Sequence, residues 1–464
     1  MTDQTSVSPP PDAPDHQNRD HIGCVTQWDG LPAPVRKAML ARGAADWKRI
    51  FAGVATHNKT WRPLRPPVMT FAAYREIGRI SERIARLILQ ACQRRADNAG
   101  ELRQRLGVPD RFVDMLDESQ PLTEDLLVAV RPDILLSDGV PRFVECNIDS
   151  ALGGAFDSDG IARRFLEAYQ GDAALDGFRI EATPSAVDAR FHAMRDALDL
   201  APGASVAVLF NMSTDYPDTD NPEKLIGLLR PVCERGEAAG LSVVVCPVEW
   251  LTYQDGRLHA GDTPLDAVLR LYIPQNLPPS SGRQALAEAV AENSVRMFTS
   301  SAAWLLGNKA AFAWLWEDLA VLHPDDAELV RRHVPHTELI IDGIQQRAIA
   351  GQQDHVLKPT GDYGGAGVVV GREVSPEIWR EAVRQAVAHG ASILQQYVAA
   401  DRLSMHFVRM TDGEAFDTEV PFCIAPYLFG GMLAGAYMRF GIPGGGPVVN
   451  LGQGALTSGL LLVD

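Results

Sequence analysis

The sequence lacks any long apolar run, and stretches such as Val368–Val370 and Leu460–Val463 are far too short to cross a membrane. It also lacks a basic start followed by an apolar segment, so no secretory signal is expected. Its six cysteines never form a CxxC pair, which argues against a zinc ribbon or a thioredoxin motif. Isolated thiols are typical of a reducing compartment, so we expect a cytoplasmic protein.

Basic residues are also in short supply, since 43 Lys and Arg against 59 Asp and Glu give a formal net charge of −16. This balance disfavours a nucleic-acid partner, which usually requires a basic footprint, and it disfavours attachment to anionic lipid. An apolar fraction of 46% in 464 residues is enough for sizeable cores without metal or disulfide support. The sequence therefore predicts a soluble globular chain of roughly three domains or subdomains.

The first part of the chain changes character near residue 20. Residues 1–20 are rich in proline and polar side chains, so we expect a disordered tail there. Residues 21–130 are expected to be mainly helical, because apolar residues from Phe71 to Ala91 recur at steps of three and four.

Residues 185–300 have the pattern of an open, mainly parallel α/β lobe. Apolar strands are predicted at Ser205–Phe210, Leu241–Cys246 and Val268–Ile273, with a helix over 222–240. No GxGxxG motif follows the first of these strands, so a dinucleotide-binding fingerprint is absent.

Residues 301–464 have an α+β pattern. A helix rich in aromatic residues is predicted at Lys309–Leu322, and we interpret those aromatics as core. Two short strands around a glycine loop, a helix near Pro376–His389 and a strand at Ile393–Val398 follow, with glycine-rich turns to the end.

The glycine loop has the sequence HVLKPTGDYGGAGVVVG, from His355 to Gly371. Glycines allow backbone N–H groups to approach anionic oxygens, and Lys358 supplies a positive charge at the entrance to the loop. The GK[ST] signature of a Walker A loop is missing, and a strand rather than a helix is predicted to follow. From the residues alone, a phosphate-binding loop and a simple hairpin with a flexible turn both remain open.

A predicted hairpin at Arg131–Gly154 (RPDILLSDGVPRFVECNIDSALGG) carries a second set of polar residues. Glu145 and Asn147 lie two apart on its second strand, so both face the same side, and Asp133 can lie opposite them on the first strand. Carboxylate and amide oxygens suit Mg²⁺ together with phosphate. The alternative is an edge strand with outward polar residues.

Lys309 opens the aromatic helix, where a positive charge is unfavourable to the helix dipole. This position is mild evidence for a role away from the helix, although a solvated lysine is the simple alternative. Two further stretches are unusual, namely the strand Ser392–Val398 (SILQQYV), with polar residues at its centre, and Gly435–Gly441 (GAYMRFG).

Together these stretches resemble the glutathionylspermidine synthetase-like, circularly permuted branch of the ATP-grasp ligases. Arg-x-Asp followed by Glu-x-Asn resembles the metal-binding hairpin of that family, and GNKAAFAWLWED resembles its nucleotide lysine and the helix that follows. HVLKPTGDYGGAGVVVG resembles its second lysine and glycine loop, ILQQYV its strand facing adenine, and CIAPYLFGGMLAGAYMRFG the segment ending in its active-site arginine. The ordered match spans roughly residues 120–440.

The resemblance implies an α+β/α/β fold of the circularly permuted ATP-grasp type, with a helical N-terminal region. The metal-binding hairpin (131–184) would pack into the ATP-grasp core, residues 185–300 would form a lobe like the one that precedes ATP-grasp domains, and 301–464 would bind the nucleotide.

The resemblance also implies ATP and Mg²⁺ as cofactors and a set of site residues. Metal ligands would be Asp133, Glu145 and Asn147, and catalytic residues would be Arg131 and Arg439. ATP would be bound by Lys309, Lys358, Gly361, Gly364, Gly365, Gly367, Gln395, Gln396, Tyr397 and Val398.

The implied activity is ATP-dependent joining of a small-molecule carboxylate to an amine through an acyl phosphate, releasing ADP and phosphate. The amidase activity of bifunctional members is not implied, because the resemblance does not include their peptidase half, and Asp149–Leu152 (DSAL) stands where polyamine-ligating members have Asp-Thr-Pro. Glutathione and spermidine are therefore not expected as substrates, whereas amino acids or peptides of secondary metabolism are. Residues 149–156 and 211–220 are expected to contact substrate.

Three alternatives stay open. They are a small-molecule kinase, a ligase that loads an amino acid onto a carrier protein, and a non-catalytic nucleotide-binding subunit. Intact Asp133, Glu145, Asn147, Lys309 and Lys358 argue against the last of these. The sequence does not specify the oligomeric state.

Overall fold

A computed structural model describes residues 24–54, 58, 60–109, 115–211, 222–341, 343–362, 364–442, 444–446, 449 and 454–464. The expected tail at 1–20 and most of the expected substrate segment at 211–220 lie outside the described residues. Within the described ranges, no helix has the length and apolarity needed to span a membrane.

The helices are distributed along the whole chain. They are α1 (Cys24–Gly30), α2 (Ala33–Ile50), α3 (Phe71–Gln93), α4 (Ala99–Leu106), α5 (Ala155–Tyr169), α6 (Ala186–Ala197), α7 (Pro222–Ala238), α8 (Ser281–Ala291), α9 (Ser301–Leu306), α10 (Ala310–Glu317), α11 (Pro324–His333), α12 (Gln345–Ala350) and α13 (Pro376–His389).

The strands form several sheets. They are β1 (Trp61–Pro63), β2 (Val68–Thr70), β3 (Ala129–Ser137), β4 (Val140–Ile148), β5 (Ile180–Ala182), β6 (Ser205–Phe210), β7 (Ser242–Pro247), β8 (Leu251–Gln254), β9 (Arg257–Ala260), β10 (Thr263–Pro264), β11 (Ala267–Arg270), β12 (Arg296–Phe298), β13 (Thr337–Leu339), β14 (His355–Pro359), β15 (Val369–Val370), β16 (Ser392–Gln396), β17 (Arg402–Arg409), β18 (Ala415–Phe429), β19 (Met432–Phe440), β20 (Leu456–Ser458) and β21 (Leu461–Val463).

The largest sheet joins the early hairpin to the end of the chain. Its order is β1-β17-β18-β19-β20, and the β3–β4 hairpin adds to it because β3 pairs with β18. The first half of β18 pairs with β17, and its second half lies between β3 and β19. The expectation that strands near 131–147 share a sheet with strands of the last third is therefore confirmed.

A separate four-stranded sheet has the order β12-β11-β6-β7, and all of its strands are parallel. This sheet confirms the mainly parallel α/β pattern. Its core is nevertheless continuous with the large sheet, because Phe191 and Val208 of this lobe pack in one cluster with Tyr427 and Tyr437.

A third, antiparallel sheet with the order β13-β16-β14-β15 carries the glycine loop between β14 and β15. Helix α13 packs against it, and the side chain of Trp379 is fully buried there. The helix begins at Ser375, whose hydroxyl accepts from the N–H of Ile378, and ends at Gly390 with φ +70°.

Helix α3 supplies much of the central core. Thr70 caps its start by accepting from the N–H of Ala73, and its apolar face is buried from Ile77 to Leu89. Phe312 and Trp314 of α10 pack in the same cluster, which is the core position expected for those aromatics.

The expectation of glycine-rich turns after residue 398 is wrong. Three long antiparallel strands, β17, β18 and β19, occupy most of residues 402–440. The second half of β18 is buried on both faces, so it shows no alternating pattern, and Pro421 and Pro426 interrupt it. The turns at Gly413 and at Gly430–Gly431, where these glycines have positive φ, do fit the expectation.

Candidate functional site

The β3–β4 hairpin aligns the four polar residues predicted on it. A tight turn at Asp138 (φ 51°) and Gly139 (φ 72°) fixes the register, so Asp133 lies opposite Glu145 and Arg131 opposite Asn147. The register shifts just after Asp133. Extra twist at such an irregularity re-aims side chains, which is common beside functional sites.

Arg439 reaches the hairpin from β19, across β18. Its Nη2 atom lies 2.6 Å from Oδ1 of Asp133 and donates to the Sγ atom of Cys423 at 3.2 Å. Cys423 pairs with Arg439 in the ladder between β18 and β19. These contacts form a row of side chains from the hairpin across the large sheet.

The charges around Asp133 control its ionisation. Burial alone would raise the pKa of this carboxyl group, but the positive charges of Arg439, Arg131 and Lys309 hold its pKa below the usual range. Despite the close arginine, Oδ1 of Asp133 accepts no hydrogen bond of good geometry. A buried, charged and under-satisfied oxygen is suited to a ligand that is not present in the protein itself.

Lys309 connects the hairpin to the glycine loop. Its Nζ atom lies 3.0 Å from Oε1 of Glu145 and donates to the backbone oxygen of Asp362 at 2.6 Å. Its own N–H donates to the oxygen of Thr360. The side chain is 6% exposed, so this lysine is not the solvated one that the alternative interpretation required.

Lys358 approaches the same place from β14. Its Nζ atom donates to Oε1 of Gln395 at 2.7 Å and to the oxygen of Val144 at 3.1 Å, and Gln395 in turn donates to Thr337. Burial lowers the pKa of Lys358 to about 8, although the charge of Glu145 opposes that shift. A lysine held in this way is easily stabilised by an incoming anion.

These elements enclose a cleft of about 960 Å³, part of it open to solvent. Hydrophobic side chains such as Leu135, Val356 and Val370 line one part of it. The predicted residues that line it are Asp133, Glu145, Lys309, Lys358, Gly365, Gln395, Gln396, Tyr397, Val398 and Arg439. An apolar slot beside clustered cations fits a base and its phosphates.

A second cavity adjoins the cleft, with about 890 Å³ of space including its open mouth. Asp133, Glu145 and Arg439 line both spaces, so these three side chains form the wall between them. Arg131, Asn147 and Gly364 line the second cavity.

The remaining two glycines of the predicted loop lie elsewhere. Gly361 lies beside Asn308 and Lys309 in a small adjacent pocket, and its oxygen accepts from Gln275. Gly367 (φ +67°) packs close to Pro359, where a Cβ atom would come within 2.7 Å. It shapes the loop and lines neither of the two large spaces.

The predicted metal ligands suit a hard cation. Asn147 donates its Nδ2–H to the oxygen of Arg131, which leaves its Oδ1 atom to complement Asp133 and Glu145. In the part of the chain that the structure describes, no group of three or more His, Cys, Asp or Glu side chains is arranged for a metal. Two carboxylates and an amide therefore fit Mg²⁺, which keeps water and phosphate oxygens as further ligands, better than Zn²⁺.

Sequence reasoning missed a buried ion pair next to this site. Arg270, at the end of β11, contacts the carboxylate of Asp149, which follows β4, and both side chains are buried. Asp149 lines the second cavity. The signal was a charged residue inside the apolar stretch VLRLYI, which is the kind of signal that identified Glu145.

Neither a protein-family model nor a curated protein sequence matches this chain. Among solved structures, a glutathione synthetase-like effector from Globodera pallida, in its apo form, matches with a TM-score of 0.57 and 13% identity, covering 95% of this chain and 100% of that chain. The two proteins share a fold. The mixed α and β architecture expected from the sequence is thereby confirmed.

Two weaker structural matches add no argument, because their TM-scores are low. A Methylobacillus flagellatus protein with the provisional name gamma-glutamylcysteine synthetase gives 0.41 at 12% identity, covering 82% of this chain and 88% of its own. The D-alanyl-alanine synthetase A of Vibrio cholerae gives 0.28 at 9% identity, covering 49% and 68%.

Proposed function

We propose that this chain is an ATP-dependent carboxylate–amine ligase of the circularly permuted ATP-grasp type, acting in the cytoplasm on amino-acid or peptide substrates of secondary metabolism. One observation carries the proposal. Asp133, Glu145 and Arg439 form the wall between a nucleotide-sized cleft and a second cavity. A reaction between ATP and a carboxylate needs two such spaces meeting at a charged wall.

The cleft offers separate places for the base and the phosphates of ATP. The adenine would lie against the apolar side chains near Gln395–Val398, and the phosphates would lie against Lys309, Lys358 and the loop containing Gly361, Gly364, Gly365 and Gly367. Both lysines are already held by oxygen acceptors, so a phosphate would replace contacts of the same kind.

Asp133, Glu145 and Asn147 are the residues that would hold Mg²⁺. When bound, the metal would supply positive charge that offsets the repulsion between the triphosphate and the substrate carboxylate. Arg131 and Arg439, from the strands β3 and β19 on either side of β18, would orient that carboxylate and stabilise charge on the transferring phosphoryl group.

The chemistry has two steps. A carboxylate oxygen attacks the γ-phosphorus, the bond from the γ-phosphorus to the bridging oxygen breaks, and ADP leaves. The neutral amine then attacks the acyl carbon, phosphate leaves, and the nitrogen releases a proton as the amide forms. The loop over the cleft would exclude water, which would otherwise hydrolyse the acyl phosphate.

The permuted order is supported by the strand pairing. The β3–β4 hairpin comes early in the chain but pairs with β18 and lies beside Lys309, which precedes α10, and Lys358 of β14. Loop-closure entropy grows slowly with length, so such a return costs little.

The proposal is tested by ADP release over a panel of acids, each with hydroxylamine as a general amine. Hydroxamate formed together with ADP identifies a ligase. A stable phosphorylated product would instead identify a kinase, and activity only with an acyl-carrier protein would identify the carrier-loading alternative. Nucleotide binding without turnover of any acid would contradict the ligase assignment.

A further inference from the structure

One side of the second cavity is a backbone segment that hydrogen bonds hold in place. The segment from Asp149 to Gly154, which follows β4, is fixed by donors from several parts of the chain. Arg190 donates to the oxygen of Leu152 at 2.6 Å. Arg131 and Tyr427 donate to the oxygen of Gly153 at 2.8 and 2.6 Å. This side of the cavity is therefore formed before a substrate binds.

The charges that line this cavity are compensated within the protein. Asp149 pairs with the buried Arg270, and one of its oxygens also accepts from the N–H of Ser150. Asp133 pairs with Arg439, and Glu145 pairs with Lys309. Arg131 is the remaining charged side chain among the described residues that line the cavity; its Nε atom lies 3.9 Å from Oδ1 of Asp133, so two arginines share that one carboxylate.

Asn147 contributes an amide to the described lining, and the rest is backbone and mainly apolar side chains. Leu152, Ile273, Trp304 and Tyr437 contribute side chains, together with Ala151. Counting each ion pair as a whole, one positive charge remains, which suits a single carboxylate. A charged group beyond the α-carbon of the substrate would be buried without a counter-ion among the described residues, and that is costly.

We infer that the acid substrate is an organic acid whose substituent beyond the α-carbon is uncharged and mainly apolar. The inference rests on the proposed ligase function, because it assumes that the reacting carboxyl group lies at the wall formed by Asp133, Glu145 and Arg439. It assigns selectivity to Leu152, Ile273 and Tyr437, which line the second cavity and do not line the nucleotide cleft.

The test uses the full-length protein with MgATP, hydroxylamine and matched acids. The pairs are leucine against glutamate, 4-methylpentanoate against glutarate, and phenylalanine against lysine, and ADP and hydroxamate are both measured. We expect kcat/KM for the apolar member to exceed that for the charged member by about 30-fold or more, because burying an unpaired charge costs at least about 2 kcal/mol.

The Ile273→Arg variant adds a positive charge to the apolar wall and is expected to improve glutamate and glutarate relative to their apolar partners by about tenfold. Ile378→Arg is the matched control, since Ile378 is 55% exposed on α13. It should leave every ratio unchanged. If Ile273→Arg folds poorly, the ratios of kcat/KM measured with the wild-type protein still show whether apolar or charged acids are preferred.

Faster ADP and hydroxamate formation from the charged members of the pairs would overturn the inference and leave the ligase function standing. Equal rates for both members would do the same. No ADP release with any acid would overturn the ligase function itself, and the inference with it.

Discussion

Replacing Lys358 by methionine removes the cation at the entrance to the glycine loop and preserves most of the side-chain volume. In the wild-type protein, Nζ of Lys358 donates to Gln395 and Val144, and burial lowers its pKa from 10.5 to about 8. The variant should change two quantities in a pH-dependent way, namely the affinity for nucleotide and the free energy of unfolding.

For nucleotide binding, a charge-assisted hydrogen bond contributes about 1.5–3 kcal/mol, so Lys358→Met should raise Kd by roughly 10- to 100-fold at pH 7. Above pH 8 the free wild-type protein loses the lysine proton and must take it up again to bind phosphate. The wild-type Kd should therefore rise by up to about tenfold per pH unit above pH 8, whereas the Kd of the variant should not show this rise.

For stability, the sign follows from the lowered pKa. Below pH 8 the lysine is charged in both states, and the folded state bears the cost of burying the charge. As pH rises from 8 toward 10.5 the folded state loses the proton first, so the unfolded state binds more protons and the wild-type protein gains stability. For a shift from 10.5 to about 8, the gain between pH 7 and 9.5 is about 2 kcal/mol at most, since Lys358 as a whole residue is half-buried and lines a cleft that opens to solvent.

Isothermal titration with a non-hydrolysable ATP analogue from pH 6.5 to 9.5 measures the first effect, and urea unfolding over the same range measures the second. Lys37→Met, on the exposed face of α2, is the control that should match wild type in both. Equal nucleotide affinity for wild type and Lys358→Met would refute the assignment and make residues 355–371 an ordinary hairpin.

Other perturbations test separate parts of the site. Glu145→Gln should reduce turnover by roughly 100-fold or more with an unchanged circular dichroism spectrum, and near-normal rates at saturating Mg²⁺ would contradict the metal assignment. Arg270→Met should lower the free energy of unfolding by about 3–5 kcal/mol because the buried Asp149 loses its counter-ion, and adding Asp149→Asn should recover part of that loss in urea titrations. Gly154→Ala should destabilise by at least about 1 kcal/mol, since φ is +83° and the new Cβ would lie 2.6 Å from the ring of Tyr437. Gly171→Ala is the control, because Gly171 also has a positive φ (+73°) but has open space around it, so only the backbone strain remains. Equal losses of stability in the two variants would exclude a contribution from the contact with Tyr437.

Helices α3 and α13 were predictable because their signals are local. α3 and α13 begin at the hydroxyl caps Thr70 and Ser375, and their apolar positions follow the helical period. The strand Ser205–Phe210 was equally clear as a short apolar run. Strand β18 was not predictable, because burial on both faces removes the alternation that marks a strand and its prolines indicate turns.

The site was predictable only in part, because its contacts join residues that are far apart in the sequence. Glu145 stood out because a carboxylate interrupts an apolar strand and must find a partner. The sequence could not show that this partner is Lys309 or that Asp133 contacts Arg439, because those contacts depend on how distant strands pair. The contact between Asp149 and Arg270 was hidden in the same way, since it joins the end of β4 to β11, more than 100 residues later in the chain.

The ion pairs of the cleft have a consequence for ligand binding. Asp133 and Glu145 are compensated by Arg439 and Lys309, which are the cations proposed to contact the substrate carboxylate and the phosphates. Binding would therefore exchange partners, with the carboxylates turning to Mg²⁺ and the cations to the anionic substrates. Each of these buried charges has a counter-ion before and after the exchange. The free-energy cost of removing them from water therefore arises largely during folding and not during binding. Most of the attraction of the cleft for MgATP then remains available for affinity and for the chemical step.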